Sequence, residues 1–191
     1  VLRRLEAIED ELARNAEDGT SGARPFGDRS LAGSRINRSG LTPGTAAPPF
    51  RLPRVDGGEL SLEEYAGRRV LLVFSAPDCG PCDLLVPKLE QASRRSDAVT
   101  VLMVSRGDAE VNLRKIAEHG LTFPVVLQRS WEVSRAYAKF VTPMAYLIDE
   151  RGMIASNVAV GTEPILALLS GAVSDAGGWA SGHGSDDVVR H

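Results

Sequence analysis

A chain of 191 residues with 43% hydrophobic content, 25% charged residues and a formal net charge of −3 can bury a real core and suits one globular domain with appendages. Acidic and basic side chains are interleaved, aromatics make up 5%, and no Lys/Arg stripe stands out, so nothing points to a nucleic-acid surface. No apolar run is long enough to cross a membrane.

The chain opens on Val1 rather than Met and carries no signal peptide, so either a fragment of a longer product or a trimmed chain is expected. Over residues 1–15, Leu2, Leu5, Ile8 and Leu12 recur at helical spacing among acidic residues, predicting a short amphipathic helix. It reads equally as a packing stub or as a stalk beyond an upstream membrane segment, with Arg3 and Arg4 near the headgroups. Residues 16–45 lack apolar periodicity and are rich in Gly, Ser, Arg and Asn, the composition of a flexible linker. The folded domain is expected over 46–172.

Within it, strand-like Phe50 to Leu52 and Glu59 to Leu62 flank the turn residues Asp56-Gly57-Gly58, which predicts an N-terminal β-hairpin. An apolar strand over 69–75 precedes a helix from Gly80 to Arg95. Further elements are a strand near 99–104, a helix near 108–119, a strand near 124–127 and a helix near 131–139. After Thr142-Pro143, the run Met144 to Ile148 and the turn Asp149-Glu150-Arg151-Gly152 lead into Met153 to Val160, an antiparallel hairpin, and a last helix spans about 163–172. The order describes an α/β fold with a central mixed sheet flanked by helices. Residues 173–191 are small and polar, the composition of a disordered tail.

The chain has two cysteines, Cys79 and Cys82, three positions apart in Cys79-Gly80-Pro81-Cys82, where the 69–75 strand feeds the next helix. That setting puts Cys79 at a helix N-terminus, whose unpaired N–H groups and dipole favour a thiolate. Cys82, one turn on, is within reach of a mixed disulfide formed at Cys79. Two duller readings compete. A closed zinc site needs four ligands, yet His119, His183 and His191 are scattered, and a purely structural disulfide would close a loop too short to constrain the unfolded chain. Redox chemistry is favoured over both.

The segment Phe74-Ser75-Ala76-Pro77-Asp78-Cys79-Gly80-Pro81-Cys82-Asp83-Leu84-Leu85-Val86-Pro87 resembles the active-site strand, redox motif and following helix of the thioredoxin superfamily. Pro87 falls where that family often has a helix-kinking proline, and Thr142-Pro143 where it has its cis-proline. The inserted helix-strand unit at 108–127 and the N-terminal hairpin, with Ala47-Pro48-Pro49-Phe50-Arg51-Leu52-Pro53, resemble the TlpA/ResA branch of thiol-disulfide oxidoreductases, and Ser75-Ala76-Pro77-Asp78-Cys79 also resembles the MauD-like type. The resemblance implies a thioredoxin-like fold and, by the habit of that branch, an extracytoplasmic protein tethered to a membrane. Departures from the pattern are clear. Val73 stands in place of the buried acid that serves thioredoxin as a proton acceptor, Asp78 in place of the usual tryptophan, and Leu85 where some ResA-type proteins carry a functional glutamate. The proton acceptor for Cys82 is left unassigned. Asp78 is either an exposed spectator or a charge that opposes the Cys79 thiolate.

The resulting expectation is a reductase of protein disulfides that needs no cofactor beyond the Cys79–Cys82 disulfide and an upstream electron donor of unknown identity. Pro77, Asp78, Gly80 and Pro81 shape the motif, and Thr142 and Pro143 bind an extended substrate segment. Two other classes are weighed against it. A peroxiredoxin-like thiol peroxidase would need a hydroxyl where Ala76 stands, three residues before Cys79, and a copper metallochaperone usually has one more residue between its cysteines and a distal histidine.

Overall fold

The structure is a computed structural model that describes residues 40–179. The predicted helix over 1–15, and most of the predicted linker and tail, lie outside the described residues.

Two short strands open the domain, β1 (Arg51–Pro53) and β2 (Glu59–Ser61), paired antiparallel around the Asp56-Gly57-Gly58 turn. Where the sequence predicts strand up to Leu62, the chain turns into a 3-10 segment, Leu62–Tyr65, because Ser61 and Glu64 form a capping box that favours a helical turn there. The main sheet holds β3 (Val70–Phe74), β4 (Thr100–Arg106), β5 (Val125–Gln128), β6 (Met144–Ile148) and β7 (Ala159–Val160), in the order β5-β4-β3-β6-β7. β4 runs parallel to both β3 and β5, and β6 runs antiparallel to β3 and β7, so the sheet is mixed.

All five residues of β3 are buried, which explains why it reads as an unbroken apolar run: both faces are covered. One face carries Leu71, Val73, Val101, Met103, Ala145 and Leu147 against Leu85 and Leu89 of helix α1 (Gly80–Ser93), Ile116 of α2 (Ala109–His119) and Ile165 and Leu169 of the last helix. The other face carries Leu72, Phe74, Leu102, Val104 and Tyr146 against Leu52 and Leu60 of the hairpin and Val133 and Tyr137 at the short helix α3 (Glu132–Ala136). α3 ends earlier than predicted because Ala138 takes a left-handed φ of 55°.

Three further elements differ from expectation. The return strand predicted over Met153 to Val160 shrinks to β7, with isolated bridges at Met153 and Ile154, since the chain bends at Ser156. The last helix, α4, runs Thr162–Trp179, so residues 173–179 of the expected disordered tail are helical: Ala172 is buried, Val173 packs on the core, and Ser174 Oγ donates to the Ser170 carbonyl. No described helix is long and apolar enough to cross a membrane. At the other end, residues 40–45 of the expected linker belong to the packed chain. The Leu41 N–H donates to the Tyr146 hydroxyl at 3.1 Å, Gly44 N donates to Ile154 O at 2.8 Å, and Ile154 N to Thr45 O at 2.8 Å. The Tyr146 hydroxyl in turn donates to the Tyr137 carbonyl at 2.7 Å, and Tyr137 Oη to Pro48 O at 3.1 Å. Burial pushes both phenols above their ordinary pKa, so they stay protonated as donors.

Candidate active site

The parallel β3–β4 pairing places the end of β3 inside the sheet, and the loop from Ser75 to Asp78 carries the chain to α1. Cys79 is the N-cap of α1. Its Sγ accepts from Cys82 N at 3.3 Å, and its carbonyl accepts from the same N–H at 2.9 Å. Pro81 sits in the first turn, where its missing N–H leaves no helical bond unmade. The two cysteines are joined as a disulfide with Cα atoms 5.2 Å apart. Their exposure differs: Cys79 is half-buried beside exposed Gly80 and Pro81, whereas Cys82 is 1% exposed. A Cβ at Gly80 would meet nothing within 4 Å, so the space over the disulfide opens outward.

The second predicted pair lies at the same end of the sheet. Met144 pairs with Phe74, so Pro143 stands where β3 leaves toward Cys79, and the Thr142–Pro143 peptide bond is cis. Pro143 is buried and Thr142 half-buried. Gly161 N donates to the Pro143 carbonyl at 2.9 Å, and the hydroxyl of neighbouring Thr162 donates to the Pro81 carbonyl at 3.2 Å, so one short bridge ties this loop to the motif. Pro77 lies against Gly107, whose φ is +86°, at the end of β4. Asp78 is exposed and faces Arg106, with Oδ1 3.9 Å from Nη2, so a cation stands beside the carboxylate that the sequence left as spectator or opponent of the thiolate. Arg106 lies 4.4 Å from the Trp131 ring centroid, and Trp131 packs edge-on against exposed Phe140 at 5.8 Å.

Sequence reasoning missed what stands behind Cys82. Val73 pairs with Met103, so the position of the thioredoxin acid is apolar on both strands. A cavity of about 30 Å³ lies beside Met103, lined by Cys82, Asp83, Ser105, Asn112, Lys115 and His119 among others. Lys115 Nζ bonds the Asp83 carboxylate, linking α2 to α1. Ser105 Oγ donates to Asn112 Oδ1 at 2.7 Å, and Asn112 Nδ2 donates to the carbonyls of Arg106 and Asp108. His119, at the C-terminal end of α2, is half-buried and lines this cavity. The signal was the spacing Asn112, Lys115, Ile116, His119, one face of a helix that mixes polar and apolar residues. Among the described residues, no group of three or more His, Cys, Asp or Glu side chains is gathered as a metal site.

The model of the AhpC/TSA family matches residues 43–157, more than half of the chain. The thiol-disulfide oxidoreductase ResA of Geobacillus thermodenitrificans is 33% identical over 128 residues, 65% of this chain and 73% of that protein. The chain belongs to the AhpC/TSA family, as a ResA-type thiol-disulfide oxidoreductase. The methylamine utilization protein MauD of Paracoccus denitrificans is 32% identical over 154 residues, 80% of this chain and 75% of its own. Among solved structures, a putative thiol:disulfide interchange protein DsbE from Chlorobium tepidum superposes with a TM-score of 0.63 at 27% identity, covering 71% of this chain and 98% of that one. The ResA-type oxidoreductase is thus an enzyme with a thioredoxin-like domain, and its Cys79–Cys82 disulfide sits at the start of α1.

Proposed function

We propose that the enzyme reduces protein disulfides, with Cys79 as the attacking thiol and Cys82 as the resolving one. The observation that carries this reading is the difference in exposure across one helical turn: Cys79 caps α1 at the surface and Cys82 is 1% exposed beneath it. In the reduced protein, the Cys79 thiolate attacks one sulfur of the partner disulfide, a mixed disulfide forms, and the other partner sulfur leaves. Cys82 then attacks Cys79, closing the Cys79–Cys82 disulfide and releasing the second partner thiol. The helix N-terminus favours the thiolate at Cys79 in both directions of this exchange.

Thr142 and Pro143 bind the extended substrate segment beside the motif, supported by the Gly161 and Thr162 bridge that ties this loop to Pro81. Pro77, Asp78, Gly80 and Pro81 shape the surface around Cys79. The reductive direction rests on the likeness of Phe74 to Pro87 to thioredoxins, with an upstream electron donor as the second partner and no cofactor. An extracytoplasmic, membrane-tethered location follows from the TlpA/ResA resemblance. The test is dithiothreitol-driven reduction of insulin, followed as turbidity. Wild type accelerates it and Cys79→Ser abolishes the acceleration; a wild-type rate equal to dithiothreitol alone contradicts the reading.

A further inference from the structure

Resolution requires a thiolate at Cys82, yet this residue is buried and the sheet position where thioredoxin carries its acid is apolar. Val73 and Met103 lie opposite each other on β3 and β4 and offer neither a proton acceptor nor a countercharge. Burial alone raises a thiol's pKa. The polar groups come from another side. The cavity beside Cys82 brings Asp83 from α1 and Lys115 and His119 from α2 to the same space, while the loop after β3 and strands β4 and β5 turn only uncharged side chains to it, Ser75 and Ser105 among them. Its volume of about 30 Å³ exceeds the roughly 10–15 Å³ that one water needs. The Asp83 and Lys115 side chains are 44% and 29% exposed, so the cavity wall reaches bulk solvent.

We propose that Lys115 is a positioning residue for the resolving step: its ammonium lowers the cost of the Cys82 thiolate across the cavity, and Asp83 holds that ammonium in place while offsetting part of its charge. This inference rests on Cys82 being the resolving thiol. Cys82 loses its proton to water in the cavity and thence to solvent. The thiolate attacks Cys79 Sγ of the mixed disulfide, the Cys79–Cys82 bond forms as the Cys79–partner bond breaks, and the partner sulfur departs as a thiolate that takes a proton from solvent. Two electrons pass from the dithiol to the partner disulfide.

Opposite signs for the two members of the ion pair separate this role from a structural one. Loss of Lys115 removes the favourable charge; loss of Asp83 leaves Lys115 uncompensated beside the sulfur. The experiment mixes reduced full-length protein with dithiobis(nitrobenzoate) and follows nitrothiobenzoate release in stopped flow across a range of pH. The first equivalent reports attack by Cys79 and the second reports resolution by Cys82. Lys115→Gln moves the pH profile of the second phase to higher pH and slows it about tenfold at about pH 7, leaving the first phase unchanged. Lys115→Arg restores the wild-type profile, and Asp83→Asn moves it to lower pH. Two variants shifting in the same direction, no shift in either, or His119→Gln reproducing the effect of Lys115→Gln would each overturn the proposal. Cys82→Ala releases a single equivalent; release of two would overturn the resolving role of Cys82 itself, and this inference with it, whatever the Lys115 variants do.

Discussion

Replacing Tyr146 by Phe tests how the start of the chain is fastened to the sheet. The hydroxyl accepts from Leu41 N at 3.1 Å and donates to Tyr137 O at 2.7 Å, and the ring is fully buried, its centroid 5.3 Å from that of Tyr137. Phe keeps the ring and its packing, so the cost is that of two stranded backbone groups. An unsatisfied buried group costs about 1–3 kcal/mol. The Tyr137 carbonyl is buried and meets that cost, whereas the Leu41 N–H is part-buried and recovers some of it in water. The sum is about 2 kcal/mol. Urea unfolding reads it as a lower midpoint at unchanged slope. A second substitution, Gly40→Ala, sharpens the test, because Gly40 has φ +80° and an added Cβ would run into the same hydroxyl. Gly40→Ala is therefore more costly in wild type than beside Tyr146→Phe, by about 1 kcal/mol in a double-mutant cycle. A Tyr146→Phe loss under about 0.5 kcal/mol, or strict additivity of the pair, would refute the fastening of residues 40–45 described above.

Glu90 makes stability depend on acid. Burial works to raise its pKa, but the Thr122 N–H, the Arg94 guanidinium and the Thr122 hydroxyl outweigh it and hold the carboxyl below its ordinary value. Its contribution is complete above the unfolded value of about 4.3 and fades as pH falls through the folded one, so Glu90→Gln costs about 2 kcal/mol at neutral pH and progressively less in acid. Urea midpoints measured down the pH scale check this, and a difference that stays constant into strong acid contradicts it. Thr122→Val, which keeps the backbone donor and loses the 2.8 Å hydroxyl bond, costs about 1 kcal/mol in the same assay.

What the sequence made legible was whatever depends on local pattern. The apolar run before Cys79 and the helical pattern after it announce a strand feeding a helix, and the helix expected near 108–119 starts where Asp108 accepts from Glu110 N and Val111 N. Contacts between distant segments left no such trace. Leu41 and Tyr146 are 105 positions apart, and a Gly/Thr-rich stretch reads as linker whether or not a buried hydroxyl receives it. α4 passes its expected end because Gly171, a weak helix former, lies next to Ala172 and Val173, whose packing outweighs propensity. The candidate site divides the same way. Both cysteines and the Thr142–Pro143 loop were readable from motif and resemblance, but the Lys115–Asp83 pair joins two helices across 32 positions and appears only once the sheet brings them together.

The account turns on which thiol attacks. Reduced Cys82→Ser and Cys79→Ser proteins, each incubated with a disulfide-bonded protein substrate and quenched in acid, can be weighed by intact mass spectrometry. Cys82→Ser should accumulate a mixed disulfide through Cys79, and Cys79→Ser should accumulate little or none, because its remaining sulfur is 1% exposed. Equal trapping by both variants, or trapping through Cys82 alone, would contradict the assignment of Cys79 as the nucleophile.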